Sequence, residues 1–217
     1  MATTLTMVYA LGLPILGMIV AVTATLLAWS AAREGPRFEP RTKGMRNVFL
    51  VLPATLVLFG YATYFLAAAA DDVNPAILEA SALAYGAPAL AVGIGEALVF
   101  WRGVPALFKD LTSFGRTTVV ATLPEVGALF GYAISFLILG VGHGQIGDPA
   151  PAIAASTRAA LWVTGSGVAT TVGGFLAMSP PEIHTKRAWK RGLLLGVPTL
   201  PIGAILFGLA FIEIGSF

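Results

Sequence analysis

The sequence predicts an all-α membrane protein with six transmembrane helices arranged as three tandem helical hairpins. Three observations predict this fold class: an apolar composition, six apolar stretches that are long enough to cross a bilayer, and a pattern that occurs three times. Of the 217 residues, 57% are hydrophobic and 11% are charged, and the mean hydropathy is +0.84. A soluble domain of this size needs far more polar surface, so the composition excludes that class.

The predicted helices follow from the apolar stretches. A helix needs about 20 mostly apolar residues to cross the hydrocarbon core of a bilayer. Such stretches lie at roughly 4–31, 47–70, 77–101, 117–141, 153–178 and 190–215. They occupy nearly the whole chain, which leaves no room for a separate catalytic domain. The first stretch has no basic residues before it, so we expect a retained helix rather than a cleaved signal peptide.

Positive charge is confined to alternate connections between the predicted helices. Twelve of the thirteen Lys and Arg residues lie in the segments 32–46, 102–116 and 179–191, and Arg158 is the exception. By the positive-inside rule, these three loops are expected in the cytoplasm and both termini on the other side. A nucleic-acid-binding surface is the competing explanation, but the loops are short, and we predict no nucleic-acid partner.

One pattern occurs three times, once in the second helix of each predicted hairpin. A Leu-Pro pair is followed, six residues after the proline, by Phe-Gly, with the prolines at Pro53, Pro124 and Pro201. The predicted hairpins are residues 1–73, 74–147 and 148–217, and each Leu-Pro pair is expected to kink its helix. In each hairpin the first helix is richer in Gly and Ala, and small residues let helices pack closely in lipid. A generic bundle of small-residue helices is the alternative explanation.

Two glutamates, Glu96 and Glu125, lie well inside apolar stretches, away from the ends of those stretches. A charged side chain at the centre of a membrane helix costs about 2.5–3.5 kcal/mol on insertion scales, so such a residue is normally paired, protonated or functional. Counted from the loop near Lys109, the two acids lie at similar depths on opposite arms of the second hairpin, and as neighbours they would share protons. The alternatives are that Glu125 only hydrogen-bonds a neighbouring helix and that a protonated Glu96 only hydrogen-bonds a backbone carbonyl.

These features resemble the proteolipid, or c-type, rotor subunit of V-type and archaeal A-type ATPases and ATP synthases, in a triple-hairpin form. The resemblance rests on the repeated hairpins, the Gly/Ala-rich first helices, the basic loops and a second-helix pattern. That pattern is Leu-Pro-Glu-x-x-Ala-Leu-x-Gly-x-x-Ile-Ser-Phe-Leu, beginning at Leu123. The similarity is most specific at 84–98 and 117–139, looser in the third copy, and weakest in the first helix.

The resemblance implies a function and a set of partners. In that family the second-helix glutamate binds one H⁺ or Na⁺ and carries it as a ring turns, and this role maps onto Glu125. The implied partners are copies of this chain or sister proteolipids in a ring, a static membrane subunit that supplies an arginine, and central-stalk subunits. ATP turnover would belong to other subunits. Ala54 and Ile202 stand where the other hairpins would carry an acid, so the expectation is one ion per six helices, which favours pumping against a steep gradient.

Four residues are expected near Glu125: Glu96, Pro124, Thr55 and Tyr132. Family first helices often carry a glutamine near the position of Glu96, which would place this side chain beside Glu125. Sodium sites need several oxygens besides one carboxylate, and Leu56 and Val126 stand where such oxygens would help, so protons are favoured over Na⁺. The two histidines lack ligand-spaced companions and cysteine is absent, so neither a metal site nor a cofactor is predicted.

The residues leave two other functions open. One is a six-helix secondary carrier or channel that uses Glu96 and Glu125 as a proton relay. Alternating-access folds often contain inverted repeats, whereas the three predicted hairpins share one orientation. The other is a scaffold subunit of a different membrane complex, in which Glu125 is a packing contact.

Overall fold

The computed structural model describes residues 2–33, 40–143, 148–179 and 182–217, and these residues contain helices and turns but no strand. Six helices are long and apolar enough to span a membrane: α1 (Thr4–Ala32), α2 (Thr42–Ala69), α3 (Pro75–Leu107), α4 (Ser113–Gly142), α5 (Pro149–Met178) and α6 (Lys186–Gly215). The prediction of an all-helical chain with six helices long and apolar enough to span a membrane is confirmed for the described residues. Parts of the predicted loops 32–46 and 179–191, and the hairpin boundary after residue 147, lie outside the described residues.

The helices extend beyond the apolar stretches that predicted them. α3 continues to Leu107 and α4 begins at Ser113, so the connection is much shorter than the predicted loop 102–116. Likewise the helical backbone of α2 begins at Pro40, two residues before its spanning part, and α6 begins at Lys186, both inside the predicted loops. The physical reason is that hydropathy marks only the part of a helix in hydrocarbon. The hydrogen-bonded backbone continues into the interface, where Lys and Arg side chains reach water.

Two of the spanning helices are interrupted at a proline. α2 consists of Pro40–Val51 and Ala54–Ala69, with the break at Leu52-Pro53, and α6 consists of Lys186–Gly196 and Thr199–Gly215. Pro124, in contrast, lies inside an uninterrupted α4. For α4 the expected kink at the Leu-Pro pair stays a prediction, because the helix continues through Pro124. In α6 the break falls at Val197-Pro198, and Pro201 lies in the first turn that follows, where a missing N–H removes no helical hydrogen bond.

α3 is the central helix of the bundle. It packs between α1 and α5 in one row, while α2 lies against α1 and α3, α4 lies against α3 and α5, and α6 lies mainly against α5. In the most apolar part of α3, 67% of the residues are buried, against 39% in α4, and the values for α5 and α6 are 44% and 17%. The expected crowding of the Gly/Ala-rich helices therefore holds for these two pairs. It fails for α1 and α2, at 28% each, because α1 ends the row and has a neighbour on one side only.

Glycines allow the helices of this row to approach closely. Gly17 of α1 lies directly against Gly93 of α3, so that a Cβ on Gly93 would overlap the Gly17 backbone. Between α3 and α5, a Cβ on Gly167 would lie 2.9 Å from the Cα of Pro88. The row α1–α3–α5 is thus held at backbone contact, which is how helices gain packing energy in lipid.

A proline and a glycine from neighbouring helices meet in the first part of the chain. Pro14 has no N–H, so the carbonyl of Ala10, four residues earlier, lacks its usual helical donor. The adjoining turn, Val8–Gly12, is π-helical. That carbonyl oxygen lies against Gly60 of α2, where a Cβ would collide with it. The freed oxygen is thereby covered by a glycine backbone, an arrangement that allows a weak Cα–H···O contact.

The same contact recurs between α3 and α4 but not between α5 and α6. Pro88 frees the carbonyl of Ala84, and a Cβ on Gly131 would lie 2.5 Å from that oxygen. In the third copy, no atom lies within 4 Å of the Cβ position of Gly208, and the corresponding part of α5 carries no proline. In the first two Phe-Gly pairs a larger residue than glycine would therefore collide with the neighbouring helix. The third pair has no such steric requirement.

The basic connections lie together at one end of the bundle. Arg116, at the start of α4, donates a hydrogen bond to the carbonyl of His184, before α6. In the turn between α3 and α4, the Asp110 carboxylate accepts hydrogen bonds from the backbone N–H of Thr112 at 2.9 Å and its hydroxyl at 2.5 Å, which lowers the pKa of Asp110. At the other end, Thr3 donates to Glu79 at 2.7 Å, joining the starts of α1 and α3.

We predict that Gly131→Ala destabilises the protein and Gly208→Ala does not. The added methyl group meets the Ala84 carbonyl in the first case and open space in the second, and overpacking of this kind costs about 1–3 kcal/mol. The measurement is the thermal unfolding midpoint of each variant in the same detergent. Because the chemical change is identical, an equal loss in both variants would contradict the proline–glycine contact.

Candidate functional site

Glu96 is an acid inside the helix bundle. It lies in the C-terminal half of α3 and is 0% exposed. The preceding residue, Gly95, faces α4, and a Cβ there would lie 2.8 Å from Cγ of Pro124. The two helices are therefore in close contact at the level of the acid. This close approach brings Glu125, the residue after Pro124, to Glu96.

Glu96 and Glu125 form a carboxyl pair. The two groups lie within hydrogen-bonding reach of each other. Both carboxyl oxygens of Glu96 and Oε1 of Glu125 are buried, and no other group in the described structure hydrogen-bonds to them. Two carboxylates in contact away from water repel strongly, so at least one must carry a proton and donate it to the other. The arrangement can therefore hold and exchange a proton.

The two acids differ in their access to the surroundings. Glu125 is half-buried, while Thr122 and Leu129, one turn to either side on the same face of α4, are exposed, Leu129 by 52%. Residues three and four apart share a helix face, so the Glu125 carboxyl lies at the edge of the lipid-facing surface. The pair thus extends from the bundle interior, at Glu96, to that surface.

Tyr85 adds a third polar group, which the sequence reasoning missed. It lies three helical turns before Glu96 on the same face of α3 and is fully buried. Its hydroxyl donates a hydrogen bond to the carbonyl of Leu56 in α2 and lies close enough to Glu96 and Tyr132 to interact electrostatically. Polar groups from α2, α3 and α4 therefore converge. The sequence feature that could have identified Tyr85 is its spacing of three helical turns from Glu96.

Apolar side chains surround these groups. The cluster comprises buried Leu56, Ala89, Val92 and Ala128, with Phe59 and Tyr132 packed against it. A carboxyl pair in such surroundings exchanges few hydrogen bonds with water, so its protonation responds mainly to neighbouring charges.

The structure places the other predicted residues differently. Pro124 packs its ring against Gly95 and Gly174, and its carbonyl accepts a hydrogen bond from Thr170 at 3.2 Å. Tyr132 lies two turns from Glu125 and packs on Tyr85, with ring centroids 6.0 Å apart. It thus approaches the pair through Tyr85.

Thr55 is turned away from the carboxyl pair. Its side chain is exposed, and its hydroxyl donates to the carbonyl of Leu52 in its own helix at 2.9 Å. Two threonines that the sequence reasoning did not select tie α5 to the site instead. These are Thr170, described above, and Thr171, whose hydroxyl donates to the carbonyl of Ala91 at 2.6 Å. They fix the position of α5 against α3 and α4 at the depth of the acids.

Positive charge is kept apart from the pair. Arg158 of α5 forms an ion pair with Glu213 near the end of α6, with Nη2 and Oε2 3.0 Å apart. The described ion pairs of Arg116 and Arg158 are with Asp110 and Glu213 and do not involve Glu96 or Glu125. The described residues also contain no group of three or more His, Asp or Glu side chains that could hold a metal ion.

We predict that a hydrophobic carbodiimide, added from the lipid phase, modifies Glu125 and not Glu96. The reagent attacks protonated carboxyls that it can reach, and only the Glu125 carboxyl lies at the lipid-facing edge. Mass spectrometry of proteolytic fragments measures the site. Labelling should disappear in Glu125→Gln and persist in Glu96→Gln, and label found on Glu96 would contradict the burial described here.

No protein-family model matches this chain, and no curated protein matches it at a significant level. The observations that bear on its function are therefore the carboxyl pair, the packing around it and the sequence patterns.

Proposed function

We propose that this chain is a rotor-ring proteolipid of a V/A-type rotary ATPase or ATP synthase, and that Glu125 carries the transported ion. The observation that carries the proposal is the half-buried Glu125 carboxyl at the lipid-facing edge of α4, in contact with a fully buried second carboxyl. The chain itself performs no ATP chemistry in this proposal. Central-stalk and catalytic subunits supply it.

The position of Glu125 suits a carrier that must pass through lipid. A protonated carboxyl is neutral, whereas a carboxylate costs about 2.5–3.5 kcal/mol at the centre of a membrane helix. An ion-loaded Glu125 can therefore face lipid and an empty one cannot. An arginine on a static membrane partner would stabilise the empty carboxylate and so drive release. The described ion pairs of Arg116 and Arg158 are with Asp110 and Glu213, so neither of these two cations is paired with Glu125.

The packing supports an assembly of three hairpins that joins further copies. α3 packs against both α1 and α5, and α2, α4 and α6 pack along this row; in this proposal the hairpin units are residues 1–73, 74–147 and 148–217. Each end of the row has an uncovered side. The α1 helix of a second copy could extend the row beyond α5, just as α3 follows α1, and repetition of that step closes a ring.

The surroundings of Glu125 favour a proton over Na⁺ as the ion. The oxygen-bearing side chain in contact with it is the Glu96 carboxyl, while the Thr55 hydroxyl serves its own helix. Sodium prefers several converging oxygens, and Val126 supplies none. For orientation, the basic end of the bundle is assigned to the cytoplasm and both termini to the opposite side, by the positive-inside rule.

We predict that Glu125→Gln abolishes ion-coupled ATP hydrolysis in the reconstituted complex and leaves assembly intact. The amide keeps the size of the side chain but cannot release a proton. Glu213→Gln is the matched control, because this residue pairs with Arg158 away from the carboxyl pair, and it should retain coupling. Particle size in mild detergent checks assembly. Coupling retained in Glu125→Gln, or a single-chain particle, would remove the proposal.

We also predict that low pH accelerates carbodiimide labelling of Glu125 and that Na⁺ does not slow it. Protonation creates the reactive form, whereas bound Na⁺ would exclude the reagent. The labelling rate is measured over a pH series, with and without NaCl, and with KCl at equal ionic strength as the control. Protection by NaCl alone would identify Na⁺ as the carried ion.

The contact between the two carboxyls also favours the second candidate, a carrier or channel with a Glu96/Glu125 proton relay. In a relay both acids exchange protons, and the protein works without forming a ring. Proton transport by a single-chain particle in liposomes, with no ATPase subunits present, is the outcome that would select this candidate.

A further inference from the structure

We propose that Glu96 keeps its proton throughout the transport cycle and donates it as a hydrogen bond to Glu125, so that this two-carboxyl site carries one ion and not two. The inference rests on the proposed role of Glu125 as the carrier. It assigns Glu96 as a positioning residue, and it sets the number of ions that each chain moves per turn.

An ionised Glu96 would have no stabilising partner among the described residues. Its side chain is 0% exposed, and neither carboxyl oxygen has a hydrogen-bond partner apart from Glu125. The nearby Tyr85 already donates its hydroxyl proton to the carbonyl of Leu56. A buried carboxylate without a cation or a hydrogen-bond donor among the described residues is strongly disfavoured. A protonated Glu96 has no charge to stabilise and has a proton to donate.

The two acids also differ in their exposure. Glu125 is half-buried at the lipid-facing edge of α4, where a charge on a partner subunit can reach it. Glu96 lies behind it in the interior, and the titratable groups that face it are Glu125 of α4 and Tyr85 of its own helix, with Tyr132 beyond Tyr85. A passing arginine therefore acts directly on Glu125. The proton that exchanges is the one on Glu125.

A proton that stays on Glu96 lets the two carboxyls form a hydrogen bond whether Glu125 is empty or loaded. When Glu125 is empty, the Glu96 O–H donates to its carboxylate, and a hydrogen bond to a charged acceptor is the stronger kind. When Glu125 is loaded, the two neutral carboxyls hydrogen-bond to each other. In each cycle one proton enters and one leaves at Glu125, and no net transfer takes place at Glu96.

The test compares Glu96→Gln with Glu96→Leu. A glutamine is neutral and donates an N–H, as a protonated glutamate donates its O–H. We therefore expect Glu96→Gln to keep the ion-to-ATP ratio unchanged and the transport rate within about twofold. Leucine has a similar size but no donor, and loss of a hydrogen bond to a charged group, about 1.5–3 kcal/mol, corresponds to a rate at least about tenfold lower. An ion-to-ATP ratio that falls by about half in Glu96→Gln would show that Glu96 carries an ion itself.

Infrared spectroscopy tests the fixed proton without relying on rotation. The C=O stretch of a protonated carboxyl that is present in the wild type and missing in Glu96→Gln is assigned to Glu96. We expect this band to persist from mildly acidic to mildly alkaline pH, while the band missing in Glu125→Gln titrates. A Glu96 band that converts to carboxylate within this range would overturn the inference.

The two readouts separate the inference from the function on which it rests. If the Glu96 band persists but Glu125→Gln retains coupled transport, the carrier role of Glu125 fails and the fixed proton stands. If Glu125→Gln abolishes coupling and the Glu96 band titrates, the carrier role stands and the fixed proton is wrong.

Discussion

The organisation of this protein depends on one electrostatic constraint: two carboxyl groups in contact, away from water and from any described cation, cannot both be charged. Glu96 and Glu125 can lie in contact only if at least one of them is protonated. The property of this site that can change is therefore the number and position of its protons. The burial of Glu96 and the partial exposure of Glu125 then place the two chemically identical groups in different surroundings.

The close approach of the helices is what brings the acids together. Because Gly95 has no side chain, α4 can approach α3 until the Pro124 ring packs directly against Gly95. Thr171 fixes α5 to α3 at the same depth through its hydrogen bond to Ala91. A site made of two side chains on different helices therefore depends on three helices, so its geometry is sensitive to small residues that carry no chemistry themselves.

Hydropathy and helical rise sufficed to predict the six spanning helices and the similar depths of Glu96 and Glu125, because both follow from distance along a helix. They did not predict which side chains face each other, since the rotation of each helix is set by packing. Thr55 was expected near Glu125 but faces outward, whereas Tyr85 was overlooked and points into the site. The motif Ala-x-Gly-x-Pro begins at Ala10 and again at Ala84. This repetition is visible in the sequence, but its role in the proline–glycine contacts became clear only from the positions of the neighbouring helices.

The third copy has a mechanical consequence. Gly208 touches no freed carbonyl, α6 is divided at Val197-Pro198, and its apolar part is the least buried of the six helices. A strain applied to the bundle will therefore be absorbed first by bending or tilting of α6, while the α3–α4 pair keeps the acids in register. The chain therefore has a stiff segment, the α3–α4 pair that holds Glu96 and Glu125, and a compliant one, α6, which lies away from the carboxyl pair.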